Sequence, residues 1–441
     1  MYKHAKAALL LVLVVGAGTV WSQALSGTVV GTVTDQTGAA VPGATVTVVN
    51  NGTQLTRTTL TNAQGQFRAD DFPTGNLTIN VEHPGFSKLV RSGLVLTAAD
   101  TITVNMQLNV GNVQQTVDVT AEASLVQSQT AAVTSVVTNE QILQTPLNGR
   151  SFTQMLQVIP GASPSTPGMT EGIASYGMRA STAVSVNGAT SQNNSYVLDG
   201  IIDVAPWIDN LVVVPPIDSV QETRVMGSNY SAEYGSAAGA VTVVQTKSGS
   251  NQFHGSAYEF LRNNDLNANT FFSNKAGKPI PPYHRNQFGA DLGGPLRKDK
   301  TFFFVDYQGD SVVQSSTLVN TIPTLAQRQM VETGNFSGFA GTIYDPATNS
   351  GGLRTPFGGN QIPAGRLDPA AVKLFQLLPM PTTSGNANNF TFNPPSSKRT
   401  DQGDIRIDQN LFSADRLFVK FEYENTTGTG NGTLPPPSTT S

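Results

Sequence analysis

The side chains that most often carry chemistry are sparse in this chain of 441 residues, which has four histidines and no cysteine. The histidines are His4, His83, His254 and His284. A zinc peptidase needs a His and a Glu three residues apart plus a distant His, so that two imidazoles and a carboxylate leave one metal position open. None of the four has a Glu at such a spacing, and all four read as surface or packing residues. Without cysteine there is no disulfide, no thiolate metal ligand and no thiol nucleophile. The GxSxG elbow of serine hydrolases and the GxxxxGK[ST] phosphate loop are also missing. The expectation is a protein with no catalytic residue, no metal site and no cofactor. A formal net charge of -4, with no long Lys/Arg run, removes the basic face that a nucleic-acid partner requires.

What remains is chemistry of the main chain and of single charges. Thr116, Val117, Asp118, Val119, Thr120, Ala121 and Glu122 form a short run rich in β-formers. Such a segment can add as a strand to a partner's sheet edge through main-chain hydrogen bonds, or can simply be a strand of its own fold. Asn187-Gly188 and Asp199-Gly200 are preferred type I′ turn pairs, which predicts hairpins around residues 184–186 and 196–198. Gly235 and Gly239, which follow Tyr234 and flank small residues, allow close backbone approach ahead of a strand at 241–244. Arg150 and Arg262 are placed either to meet carboxylates or to stay solvated; spacing does not choose between the two.

These residues need elements to hold them. Lys3 and Lys6 precede an apolar run from Ala7 to Val20, and Ser22-Gln23-Ala24 has small residues at both cleavage-specifying positions. This predicts an export signal over 1–24, cut after Ala24. Over 25–111 the sequence alternates with period two, as in Leu77, Ile79, Val81 and in Ile102, Val104, Met106, Leu108. Turn signals at Asp35 to Gly38, Asn50 to Gly52, Asn62 to Gly65 and Pro73 to Gly75 divide the runs, predicting a sandwich of about seven strands. Helical signals enter over 112–247. Thr138 or Asn139 caps a run through Ile142 and Leu143, and Ser151, three residues before Gln154, caps one through Phe152, Met155, Leu156 and Ile159. That stretch reads as α+β. After Ser248 the alternation returns with aromatics on the apolar face: Leu417, Val419, Phe421, Tyr423 against Phe418, Lys420, Glu422, Glu424, and Phe303, Val305, Tyr307 against Phe302, Phe304, Asp306, Gln308. Apolar-out, polar-in strands suit a membrane barrel with a wet lumen, and alternation alone fits a soluble sandwich equally well. Residues 314–399, rich in Pro, Gly, Asn and Thr, read as a long loop.

Family resemblance decides between them. GTVTDQTGAAVPGATVTV from Gly31 to Val48, with NAQGQF from Asn62, resembles the carboxypeptidase-regulatory-like domain, an immunoglobulin-like module also grouped with carbohydrate-binding-like folds. TVDVTAE resembles a TonB box. Pro146, Leu147, Asn148, Gly149 and Arg150 open PLNGRSF; Pro160-Gly161, VSVNGATSQNNSYVLDG from Val184 and YGSAAGAVTVVQTKSGSNQFHGSAYEFLRN from Tyr234 follow in order. Together they resemble the plug and plug-to-barrel junction of Oar-like TonB-dependent receptors, and FGADLGGPLRKDKTFFFVDYQG from Phe288 looks like an early barrel hairpin.

The resemblance implies a mainly β protein: an immunoglobulin-like β-sandwich (25–111), an α+β plug (112–247) and the first strands of a transmembrane antiparallel β-barrel (248–441). It implies active uptake of an unidentified extracellular ligand, a glycan or a peptide by analogy, across the outer membrane of a Gram-negative-type bacterium. The sandwich would then lie in the periplasm, with a TonB-type energy-coupling protein and outer-membrane lipid as partners. The other reading is a secreted or surface carbohydrate- or protein-binding protein without transport. A plugged barrel of this class has about 22 strands, whereas alternation after Ser248 gives about five. The expectation is therefore a fragment whose barrel does not close.

Overall fold

The computed structural model describes residues 26–111, 116–120, 133–145, 150, 153, 156, 159–164, 184–205, 211–235, 237–275, 277–315, 317–411, 415–429 and 434–435. The expected export signal over 1–24 with Ala24, residues Ala121 and Glu122, the run Pro146 to Gly149, and Ser151, Phe152, Gln154 and Met155 lie outside these residues.

The first module is a two-sheet sandwich. Its strands are β1 (Gly27–Thr34), β2 (Thr45–Asn50), β3 (Thr56–Leu60), β4 (Gln66–Phe72), β5 (Gly75–Glu82), β6 (Lys88–Leu96), β7 (Thr101–Thr103) and β8 (Met106–Gln107). One sheet has the order β4-β1-β7 with β8 also on β1. The other runs β3-β2-β5-β6 and is continued by β9 (Thr116–Thr120). Alternation places Leu77, Ile79 and Val81 at 0% exposure, packed with Val29, Val46, Phe72, Val104 and Leu108 in one apolar core. The turn residues act as their types demand. Asp35 Oδ1 accepts from the N–H groups of Thr37 and Ala39, and Asn62 Oδ1 accepts from those of Gln64 and Gln66. Gly65 sits at φ 71°, where a Cβ would lie 2.5 Å from the Val33 carbonyl, so this turn requires glycine.

The plug is built on a sheet of order β10-β15-β16-β13-β14, from β10 (Val133–Thr138), β13 (Ser195–Leu198), β14 (Ile201–Ile202), β15 (Val220–Ser228) and β16 (Val241–Thr246). Helix α1 (Asn139–Gln144) begins at a reciprocal capping box between Thr138 and Gln141, which selects Thr138 over Asn139 as the cap, and buries Ile142. Of the second expected helix, Leu156 and Ile159 are buried with Ile142, Val184 and Tyr196. A separate pair joins β11 (Ala162–Pro164) to β12 (Val184–Val186).

Five long strands follow: β17 (His254–Asn263), β18 (Tyr283–Arg297), β19 (Thr301–Ser315), β22 (Pro395–Asn410) and β23 (Arg416–Thr429). They form one sheet in the order β17-β18-β19-β22-β23, which among the described residues is not closed. Helix α2 (Phe271–Lys275) interrupts the β17–β18 connection. In β23, Leu417, Val419, Phe421 and Tyr423 are 52%, 62%, 63% and 57% exposed, while Phe302, Phe304, Asp306 and Gln308 of β19 are buried. The outward face is apolar and the inward face is mixed, with many polar groups.

The stretch read as a loose loop is folded. Strands β20 (Leu318–Asn320) and β21 (Phe390–Phe392) pair and enclose helices α3 (Leu325–Thr333) and α4 (Pro369–Leu377). Arg328 ties the helices together by donating to the carbonyls of Pro323, Phe375 and Leu378 at 3.1, 3.2 and 2.8 Å, and to that of Pro379. Asn389 pairs with the backbone of Ile322 in both directions at 2.9 Å. Composition missed this order because buried Arg and Asn, rather than an apolar stripe, organise it.

Candidate functional site

Among the described residues, two clusters of buried charge grow from the plug sheet. The first is the turn between β13 and β14. Asp199 (φ 49°) and Gly200 (φ 90°) form the expected left-handed pair, and the hairpin closes with Val197 opposite Ile202. The turn presents the Asp199 carboxylate to four donors. These are the Thr246 N–H at 3.0 Å, the Thr246 hydroxyl at 2.6 Å, Arg406 Nη1 at 3.0 Å and Lys420 Nζ at 3.1 Å. Arg406 and Lys420 come from the inward faces of β22 and β23. Burial alone would push Asp199 up, but the two cations and Thr246 outweigh it and hold the carboxyl below its ordinary range.

The cations are themselves anchored. Arg406 reaches both oxygens of Asp408 at 3.0 and 3.1 Å and lies 4.6 Å over the Phe418 ring; Arg416 reaches Asp408 at 2.6 Å, and Lys420 also contacts Glu422. Gln402, on the same face of β22, donates to the Val214 carbonyl of the plug at 3.1 Å. A cavity of about 220 Å³ adjoins the turn, lined among others by Asp199, Ile201, Val213, Phe418 and Lys420. The arrangement is one of paired charges and hydrogen bonds around a single carboxylate. It ties one plug hairpin to the wall through a charge network.

The second place joins sandwich and plug. The turn from Thr97 to Asp100 rests on β15: Ala98 is buried against Met226, Val241 and Val243, and its N–H donates to the Glu222 carboxylate. Arg224, only 2% exposed, pairs with Asp100 at 3.2 Å and donates to the Thr97 hydroxyl at 2.9 Å and the Ala99 carbonyl at 3.3 Å. Burial pushes Glu222 up to about 7, with Asp100 adding to the rise and the Ala98 N–H and Arg224 opposing it.

The remaining sequence-derived residues fall as follows. Asn187 (φ 53°) and Gly188 (φ 78°) do form a left-handed turn, but the chain then enters a 3-10 turn at Ser191–Asn193. Strand β12 pairs backwards with β11 instead, so no hairpin springs from that turn. The Asn187 side chain donates to the Gly227 carbonyl at 2.8 Å and locks the turn to the plug sheet. Gly239 is a close approach, where a Cβ would lie 2.5 Å from Asn194 Oδ1; Gly235 has open space instead, and Tyr234 packs on the cluster around Ala98. Arg150 pairs with Asp218 at 3.0 Å in a buried setting, whereas Arg262 stacks 4.5 Å from the Tyr283 ring centroid. Thr116–Thr120 forms β9, outside the plug sheet, and runs parallel to β6 of the sandwich.

Glu222, Arg224, Asp408 and Arg406 were not singled out from sequence, and Lys420 was read there only as part of the polar face of its strand. Arg406 and Asp408 carried a signal: Gln402, Asp404, Arg406 and Asp408 fall on alternate positions between Gly403, Ile405 and Ile407. Such polar alternation in a wall strand marks what the lumen touches. Among the described residues no group of three or more His, Cys, Asp or Glu could hold a metal ion.

Comparison with known proteins agrees with this architecture. Residues 28–109 match the carboxypeptidase regulatory-like domain, residues 126–242 the TonB-dependent receptor plug domain, and residues 245–441 an outer membrane beta barrel domain. The TonB-dependent transporter Oar of Myxococcus xanthus is 29% identical over 311 residues, covering 67% of this chain and 28% of that protein. Thus this chain spans little more than a quarter of that relative's length. Among solved structures, the siderophore receptor PirA of Pseudomonas aeruginosa aligns over 67% of this chain and 42% of its own, at 12% identity and a TM-score of 0.31. A carbohydrate-binding protein of Bacteroides uniformis aligns over 19% and 41%, at 18% identity and a TM-score of 0.17. With the sandwich, plug and barrel domains matched in this order, the chain carries the domain set of a TonB-dependent receptor of the Gram-negative outer membrane and is similar in sequence to Oar.

Proposed function

We propose that these residues form the coupling and gating part of a transporter that takes up an extracellular ligand through a plugged barrel. The sandwich would face the periplasm, the Thr116 to Glu122 segment would engage a TonB-type energy-coupling protein, and outer-membrane lipid would surround the wall. The ligand class that a regulatory-like domain suggests, by analogy alone, is a glycan or a peptide. The protein's own role is binding and movement, not catalysis.

The observation that supports this best is the Asp199 clamp. A carboxylate on a plug turn is held by Arg406 and Lys420 from the wall, so a pull on the plug meets its resistance at a few desolvated charges. Moving one partner of such a contact away leaves the other charge buried and uncompensated, which is costly. The aromatic, exposed outward face of β23 suits lipid.

The experiment is deletion of Thr116 to Glu122 from a full-length receptor carrying this segment. Energised uptake is expected to disappear while ligand binding at the cell surface persists. Uptake at the original rate would remove the segment from the mechanism.

A further inference from the structure

The geometry points to a binding site for a short, uncharged oligosaccharide in the cleft where the sandwich turns meet the plug sheet. The site lies apart from the Asp199 clamp and stands whether or not the transport reading holds.

The cleft has a volume of about 600 Å³, within the span of about 300–1,000 Å³ that small-ligand sites occupy. Its walls are the sandwich turns at 50–54 and 74–76, Gln221 of β15, Gln245 and Thr246 of β16, and the segment that leads into β17. Asn50, 3% exposed, ties the two sandwich turns together. Its Oδ1 accepts from the Gly52 and Thr53 N–H groups at 3.0 Å, and its Nδ2 donates to the Thr74 carbonyl at 3.1 Å. The Asn251 N–H donates to the Gly52 carbonyl at 2.9 Å, and the Asn251 side chain exchanges hydrogen bonds with Asp299 at 2.7 and 2.8 Å. Main-chain and amide contacts thus fix the rim.

The lining selects the ligand. Eight of its residues are Asn or Gln, five are Ser or Thr, and none is Asp, Glu, Lys or Arg. Without a countercharge such a wall does not offset the desolvation of an ion, and without a hydrocarbon side chain it has little to bury against a lipid tail. Amides and hydroxyls both donate and accept, as do the hydroxyls of a sugar. Asn76, Gln221 and Gln252 line the cleft as exposed residues.

Gln245 adds an independent sign. Val241, Val243 and Gln245 alternate along β16; the two valines pack with Ala98, whereas Gln245, opposite Glu222 in the ladder, lines the cleft. Gln245 is only 7% exposed, and its Oε1 has no hydrogen-bond partner among the described residues. A buried amide oxygen left unpaired is costly, and a hydroxyl donated by a ligand removes that cost.

The test uses a full-length receptor carrying this segment, purified in a detergent without a sugar headgroup. Hydrogen exchange of the amides at 50–54, 74–76 and 248–252 is read with maltotriose, cellotriose and chitotriose, with trigalacturonate as an anionic trimer, and with N-acetyl-trialanine amide as a neutral peptide, each at up to about 10 mM. At least one neutral trisaccharide is expected to protect these amides, and Asn76→Ala and Gln245→Met are each expected to weaken its binding by about tenfold. Asn76 is exposed, so its variant reads the site even where Gln245→Met disturbs the fold. Protection by none of the neutral sugars, or undiminished binding in both variants, would overturn the proposal and leave the cleft to solvent. Stronger protection by the uronate or the peptide would overturn the assignment to an uncharged saccharide.

Discussion

The sandwich and the barrel wall share a sequence signal and bury opposite halves of it. In β5 the apolar members Leu77, Ile79 and Val81 are fully buried. In β23 the apolar members Leu417, Val419, Phe421 and Tyr423 are all more than half exposed, and Lys420 between them is drawn inward to Asp199. Period-two alternation reports that a strand has two unlike faces. It does not report which face meets protein, because that depends on whether the surroundings are water or lipid.

The sharpest way to break this comparison is to place the same charge on the apolar face of each region. Ile79→Arg puts an unpaired cation into a closed core and is expected to unfold the sandwich, a loss above about 4 kcal/mol. Phe421→Arg, on the outward face, is expected to cost about 2–4 kcal/mol in a bilayer and to leave the sandwich intact. Hydrogen exchange of the β5 amides, read in both variants after reconstitution into vesicles, separates the two. Equal loss of β5 protection would mean that the regions do not differ as described.

A second prediction concerns the polar side of the wall. Asp199→Ala leaves Arg406 and Lys420 facing a cavity with their principal plug partner gone, although Asp408 and Glu422 remain beside them. The expected loss in plug stability is about 3 kcal/mol. Because the Asp199 carboxyl is held below its ordinary range, the stabilisation it gives is complete above that range and is lost as pH falls through its depressed value. Asp199→Ala should therefore flatten the acid limb of a plug-unfolding curve. An unchanged curve would mean that the clamp carries no load.

How much of this was legible beforehand follows the same division. The sandwich strands, their Asx turns, the Thr138 cap and the Asp199-Gly200 hairpin were readable because each depends on neighbours within a few residues. The Asn187-Gly188 turn was readable as a turn, but its expected hairpin was not formed, since β12 finds its partner upstream in β11. The wall partners of Asp199 lie more than 200 positions away in sequence, and no local pattern pairs a plug carboxylate with one wall cation in particular. Gly235 and Gly239 show the same limit: identical residues four positions apart, of which only Gly239 is pressed against a neighbour, the Asn194 side chain.

The smallest expected effect sharpens the comparison at the contact between sandwich and plug, where burial acts on a charge with incomplete compensation. Glu222 is raised from 4.5 to about 7. A carboxyl raised in this way binds its proton more tightly when the Thr97 to Asp100 turn is docked than when it is free. Docking is therefore strongest at and below pH 4.5, weakens as pH rises through the interval to about 7, and is level above it. The full swing is at most about 3 kcal/mol. The fixed pair Arg224–Asp100 keeps the contact from being lost altogether. Glu222→Gln retains an acceptor for the Ala98 N–H and removes the titration, so protection of the residue 97–101 amides should become independent of pH between 4.5 and 8. A variant that keeps the wild-type slope would place the titrating group elsewhere, and a wild-type contact that tightens with rising pH would reverse the sign and with it the assignment of burial as the cause.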